Sequence, residues 1–142
     1  QSYELKFPTG NVTADRFLKV DSVTGSGATG VGQLSFAEVS GGTSWQAVKT
    51  NSDSPVSGAA GAGYFMNTTG GAITLTLPGS PTIGDEISFI DYAGTFDTNN
   101  LTVARNGKNI NGSAADLTVA TERAANTLVF TDNTQGWLLK SN

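Results

Sequence analysis

The last third of the chain, Gly84 to Asn142, is what most limits the folds open to it. Short β-forming runs alternate there with turn clusters: Glu86-Ile87-Ser88-Phe89-Ile90, Leu101-Thr102-Val103, Leu117-Thr118-Val119, Thr127-Leu128-Val129-Phe130 and Trp137-Leu138-Leu139. Between them lie Asp91-Tyr92-Ala93-Gly94, Asp97-Thr98-Asn99-Asn100, Arg105-Asn106-Gly107, Asn111-Gly112 and Asp132-Asn133. Gly, Asn and Asp suit turns, whereas Val, Ile, Thr and Phe suit a half-buried pleat. Five strand-like runs in so little chain predict a compact all-β module.

The pattern extends upstream. Ile73-Thr74-Leu75-Thr76-Leu77 places three apolar residues on one face and two threonines on the other, and Pro78-Gly79-Ser80-Pro81 stops it. Tyr64-Phe65-Met66-Asn67 reads as a strand and Thr69-Gly70-Gly71 as a hairpin turn. The expected core is Ile73, Leu75, Ile87, Phe89, Leu101, Val103, Leu117, Val119, Leu128, Phe130, Trp137 and Leu138. Residues 63–142 are thus expected to form a small antiparallel β-sandwich or barrel.

Residues 46–62 are rich in Gly, Ala and Ser and read as a linker; Gly58-Ala59-Ala60-Gly61-Ala62-Gly63 lacks the Lys-Ser/Thr of a phosphate loop. Residues 1–45 read as an extended β arm broken at Pro8-Thr9-Gly10 and again from Thr24 to Gly30. Three short strands bury little alone. Leu5, Phe7, Phe17, Leu18, Val20, Leu34 and Phe36 are therefore expected to meet across chains; the other arrangement folds the arm back as edge strands.

Only 37% of residues are hydrophobic and 14% charged, which suggests that part of the stability comes from neighbouring chains. The net charge of −4 and the scattering of eight Lys and Arg argue against nucleic acid. No apolar run approaches the roughly 20 residues of a membrane span, and the first ten residues lack the pattern of a signal peptide. With no Cys and no His, thiol nucleophiles, disulfides, most zinc sites and histidine acid–base chemistry drop out.

The carboxylates Asp85, Glu86, Asp91, Asp97, Asp116 and Glu122 offer no spacing that demands a catalytic pair; neighbours such as Asp85 and Glu86 point to opposite faces of a strand. Asp97-Thr98-Asn99-Asn100 holds oxygen ligands but lacks the order of a calcium loop. No catalytic residue, cofactor or metal is expected. Among the aromatics, Tyr92 and Phe96 share one loop with Asp97 and Asn99, and this loop is the expected receptor contact, a place for a surface glycan to stack.

Gly84-Asp85 before a strand, Leu101-Thr102-Val103 leading to Asn106-Gly107, Ile110 with Asn111-Gly112, and the closing Gly136-Trp137 together resemble the C-terminal β-module of bacteriophage virion proteins. These are appendage and tail-fibre proteins, especially of phages infecting marine cyanobacteria, and the resemblance runs from Gly63 to Lys140. It implies a non-enzymatic protein on the phage particle surface, a homotrimer that assembles with other virion proteins and attaches to the host. A capsid decoration protein and a carbohydrate-binding module are the alternatives.

Overall fold

The computed structural model describes strands Glu4–Lys6, Arg16–Thr24 and Val31–Glu38 and residues 42–140; in those three strands it describes side chains only at Leu34 and Ser35. The chain divides into two compact units, Gln1–Gly41 and Gly42–Asn142.

In the first unit, β1 (Glu4–Lys6), β2 (Arg16–Thr24) and β3 (Val31–Glu38) form a sheet in the order β1-β3-β2. β1 runs parallel to β3, and β2 antiparallel to it with a bulge between Val20 and Ser22. Leu18 pairs with Phe36, Val20 with Leu34, and Leu5 with Gly32. Paired residues share a face and alternate residues along a strand do too. Leu5, Leu18, Val20, Leu34 and Phe36 therefore occupy register positions on one face, and Phe17, paired with Ala37, a position on the other. Leu34 is buried; Phe7 and the remaining arm side chains lie outside the described residues.

The second unit holds β4 (Ser44–Trp45), β5 (Lys49–Thr50), β6 (Val56–Ser57), β7 (Ala62–Asn67), β8 (Ile73–Thr76), β9 (Glu86–Asp91), β10 (Leu101–Ala104), β11 (Leu117–Val119), β12 (Ala125–Phe130) and β13 (Trp137–Leu139). The large sheet has the order β13-β12-β9-β7-β4, with β5 also on β7; the small one is β11-β10-β8-β6. From β5 to β10 the chain enters the large and small sheets in turn, and the neighbours so formed, like β4 on β7, run parallel. Only β11, β12 and β13 add antiparallel, on β10, β9 and β12.

The all-β expectation holds, but the sheets are mixed and not antiparallel throughout. Thr69-Gly70-Gly71 shows why. The chain turns there, with Gly71 N donating to Thr68 O at 3.0 Å, yet it crosses from β7 into the other sheet instead of returning beside it. A hairpin would set the apolar sides of β7 and β8 next to each other. The corner lets Tyr64 and Met66 of one sheet and Ile73 and Leu75 of the other enter a common core.

Residues 46–62 are not a free linker. They contain β5, a 3-10 turn at Asn51–Asp53 and β6, and bury Val56 and Ala62. Gly58 N donates to Thr76 O at 2.8 Å, so the small residues lie close against β8.

The core between the sheets is built from Tyr64, Met66, Ile73, Leu75, Leu77, Ile87, Phe89, Phe96, Leu101, Val103, Leu128, Phe130 and Trp137, and Val56 of β6 and Ile110, bridged to Trp137, also belong to it. Leu117 and Val119 are only partly buried against it. Leu138 is not an inward position. Trp137 is buried, so strand alternation brings Leu139 to the core and turns Leu138 to the outer face.

Candidate functional site

Ile87, Phe89 and Asp91 share one parity on β9, so the inward row of this strand ends in a carboxylate. Asp91 is 2% exposed. Its Oδ1 accepts from Gly94 N at 2.9 Å and Thr95 N at 3.1 Å; its Oδ2 accepts from Phe96 N at 3.2 Å and Arg123 N at 3.0 Å. Burial raises the carboxyl's pKa, but the N–H groups of Thr95, Phe96, Arg123 and Gly94 outweigh it and hold the group below the ordinary carboxylate value. One side chain thereby ties the loop after β9 to the turn before β12. Arg123 Nη1, donating to Tyr92 O at 3.2 Å, adds a second tie.

This arrangement sets where the four expected receptor-contact residues lie. Phe96 is fully buried, drawn inward where Asp91 accepts from its backbone N–H. Asn99 is half-buried and its Nδ2 donates to Thr68 O at 3.0 Å. Only Tyr92, 53% exposed, and Asp97 face solvent. The loop is a structural knot with one exposed ring on it, and Phe96 cannot touch a ligand.

Asp85, Asp116 and Glu86 also serve turns or pair with a cation. Asp85 accepts from Thr82 N at 2.8 Å and from its hydroxyl at 2.9 Å, and Asp116 accepts from Arg105 N at 2.9 Å. Glu86 pairs with Lys140 at 2.7 Å. Among the described residues no group of three or more His, Cys, Asp and Glu is placed to hold a metal ion.

A second site lies on the outer face of the large sheet. Since Tyr64 and Met66 point inward, Gly63 and Phe65 point outward, and Trp45 pairs with Gly63 from β4. The indole lies over Gly63: a Cβ there would sit 2.6 Å from the ring. It stacks on Phe65 with centroids 4.7 Å apart and an interplanar angle of 24°, and remains 45% exposed. Across β9 and β12 the row continues as Ser88 and Thr127, whose hydroxyls hydrogen-bond at 2.8 Å. Thr43, Trp45, Ser88, Ile90, Asn126 and Thr127 thus border a shallow cavity of about 290 Å³. Sequence reasoning set Trp45 at the end of the arm and missed this face. The outward parity of Gly63 and Phe65 was the available signal.

The family model described as "Bacteriophage T4 gp9/10-like protein, N-terminal" matches residues 11–138, arm and module together. No curated protein matches the chain.

Proposed function

The chain belongs to the bacteriophage T4 gp9/10-like family and is a structural protein of the virion, and from that premise we propose that it acts as a trimeric, non-enzymatic tail-fibre or appendage module for assembly and host attachment. The matched region is the N-terminal one of its family, whereas the resemblance in the sequence was to a C-terminal module; both belong to phage structural proteins.

The observation that carries the proposal is the contrast between the two units. Gly42–Asn142 has a closed core between two sheets. Among the described residues Gln1–Gly41 has three strands with five apolar register positions on one face, of which Leu34 is buried within the chain, and a sheet this small gains stability when a partner extends its cover. Two further copies of the same strands supply that cover by symmetry, and contacts with other virion proteins extend it. Attachment then comes from weak contacts repeated in each copy.

Light scattering on the full chain and on a version starting at Gly42 tests this. A trimeric full chain and a monomeric truncation support an assembly role for the first unit. Two trimers would move the contact to the β-module. Two monomers would refute the trimeric reading.

A further inference from the structure

We propose that the cavity beside Trp45 on the outer face of the large sheet binds one uncharged sugar ring. This deepens the attachment half of the reading above and rests on it only for biological meaning; the binding chemistry stands on its own.

The seat is made by unlike parts with complementary tasks. Trp45 supplies an aromatic wall that is 45% exposed yet already positioned, its ring held against Phe65 at 4.7 Å and over the bare backbone of Gly63. A ring fixed before binding loses little freedom when a ligand stacks on it. Aromatic faces suit the C–H face of a pyranose, which is apolar although its edge carries hydroxyls. The edge groups meet the second part, the Ser88–Thr127 hydroxyl pair at 2.8 Å. One hydroxyl donates to the other, so the accepting one keeps its hydrogen for a ligand and both keep lone pairs.

Charge and size narrow the ligand. No charged side chain lines the cavity, which disfavours phosphate, sialic acid and other ionised ligands. A wholly apolar ligand would leave the hydroxyl pair covered without exchange for water. At about 290 Å³ the cavity is at the small end of ligand sites, suited to a single ring with its chain continuing into solvent. The walls come from β4, β9 and β12 of one closed unit, so the site does not wait on a loop to order.

The full chain contains two tryptophans, and Trp137 is completely buried, so a fluorescence change on ligand addition reports Trp45. We would titrate methyl glycosides of glucose, galactose, mannose and N-acetylglucosamine, with sialic acid as the charged comparison, and repeat the titration by ligand-observed saturation-transfer NMR. At least one neutral glycoside should bind saturably and shift the emission. Trp45→Ala should weaken its NMR-detected binding by at least about tenfold, with far-UV circular dichroism and Trp137 emission reporting the fold.

Gly63→Ala provides the second variant, because the added Cβ displaces the indole while leaving it in the chain. It should weaken binding similarly, and Tyr92→Ala should leave binding unchanged. The proposal is overturned if no neutral glycoside binds, if sialic acid binds equally well, if binding survives both Trp45→Ala and Gly63→Ala, or if Tyr92→Ala abolishes it. A monomeric full chain that still binds a glycoside would refute the trimeric reading and leave this one standing.

Discussion

Asp91→Asn separates a carboxylate that organises the β-module from one that merely fills space. The side chains are nearly isosteric, but wild-type Asp91 accepts four backbone N–H groups, two on each oxygen. An amide has one oxygen. Whichever way it is turned, its NH₂ must face either Gly94 and Thr95 or Phe96 and Arg123, donor against donor. Hydrogen bonds to a charged acceptor contribute about 1.5–3 kcal/mol each, and an unmet buried donor costs about 1–3 kcal/mol. Phe96 is buried, whereas Gly94 and Thr95 are half-buried and Arg123 is exposed, so water can replace part of the loss. Relief of the carboxylate's own desolvation offsets another part.

We therefore expect Asp91→Asn to cost about 3 kcal/mol and Asp91→Ala about 4 kcal/mol. For a unit of this size that is a fall in Tm of about 20 °C. Chemical and thermal unfolding followed by circular dichroism and Trp137 emission measure it.

The pH dependence follows from the same contacts. Asp91 is held below the ordinary carboxylate value in the folded chain, so the unfolded chain takes up this proton first as pH falls. The contribution is present in full above that value and drains away below it. The gap between wild type and Asp91→Asn should therefore close as pH drops below the ordinary carboxylate range. Asp53 and Asp132 are lowered as well, but both chains contain them, so the difference isolates Asp91. An Asp91→Asn protein within about 1 kcal/mol of wild type at neutral pH would refute the argument.

Other substitutions probe other layers of the structure. Gly136→Ala should destabilise by about 3 kcal/mol or more, since φ is +71° and the new Cβ would lie 1.9 Å from the backbone oxygen of Asn109. Gly107→Ala, at φ +86° with open space around it, should cost only about 1 kcal/mol in the same denaturant titration. Leu75→Ala removes a fully buried side chain from between the sheets, and unfolding should show a loss of about 3 kcal/mol. Glu86→Gln breaks a pair whose side chains are 39% and 57% exposed, so stability should change by less than about 1 kcal/mol, and by less still in high salt.

How much of this was legible in the sequence depended on whether the information was local. Alternation along one strand is local, and Ile73-Thr74-Leu75-Thr76, Ile87 with Phe89, Leu101 with Val103 and Leu128 with Phe130 all form strands with those residues inward. Strands of two residues, such as β5 and β6, span a single period and so show no repeat. The choice between a hairpin and a corner was equally hidden, because Thr69-Gly70-Gly71 suits either. The decision rests with Tyr64, Met66, Ile73 and Leu75, which bury more by meeting across two sheets.

Parity carried more than was taken from it. Counting by twos from Ile87 through Phe89 reaches Asp91, and an inward carboxylate at the end of a strand must find hydrogen-bond donors; the next residues of the loop supply three of its four. Counting outward from Tyr64 gives Gly63 and Phe65, a bare position beside a ring. A second ring can lie flat there only if another strand brings it. That strand is β4, whose Trp45 stands 18 positions before its partner Gly63. Its arrival depends on parallel coiling that no window of the sequence contains. The vacancy over Gly63 was therefore readable in advance, and its occupant was not.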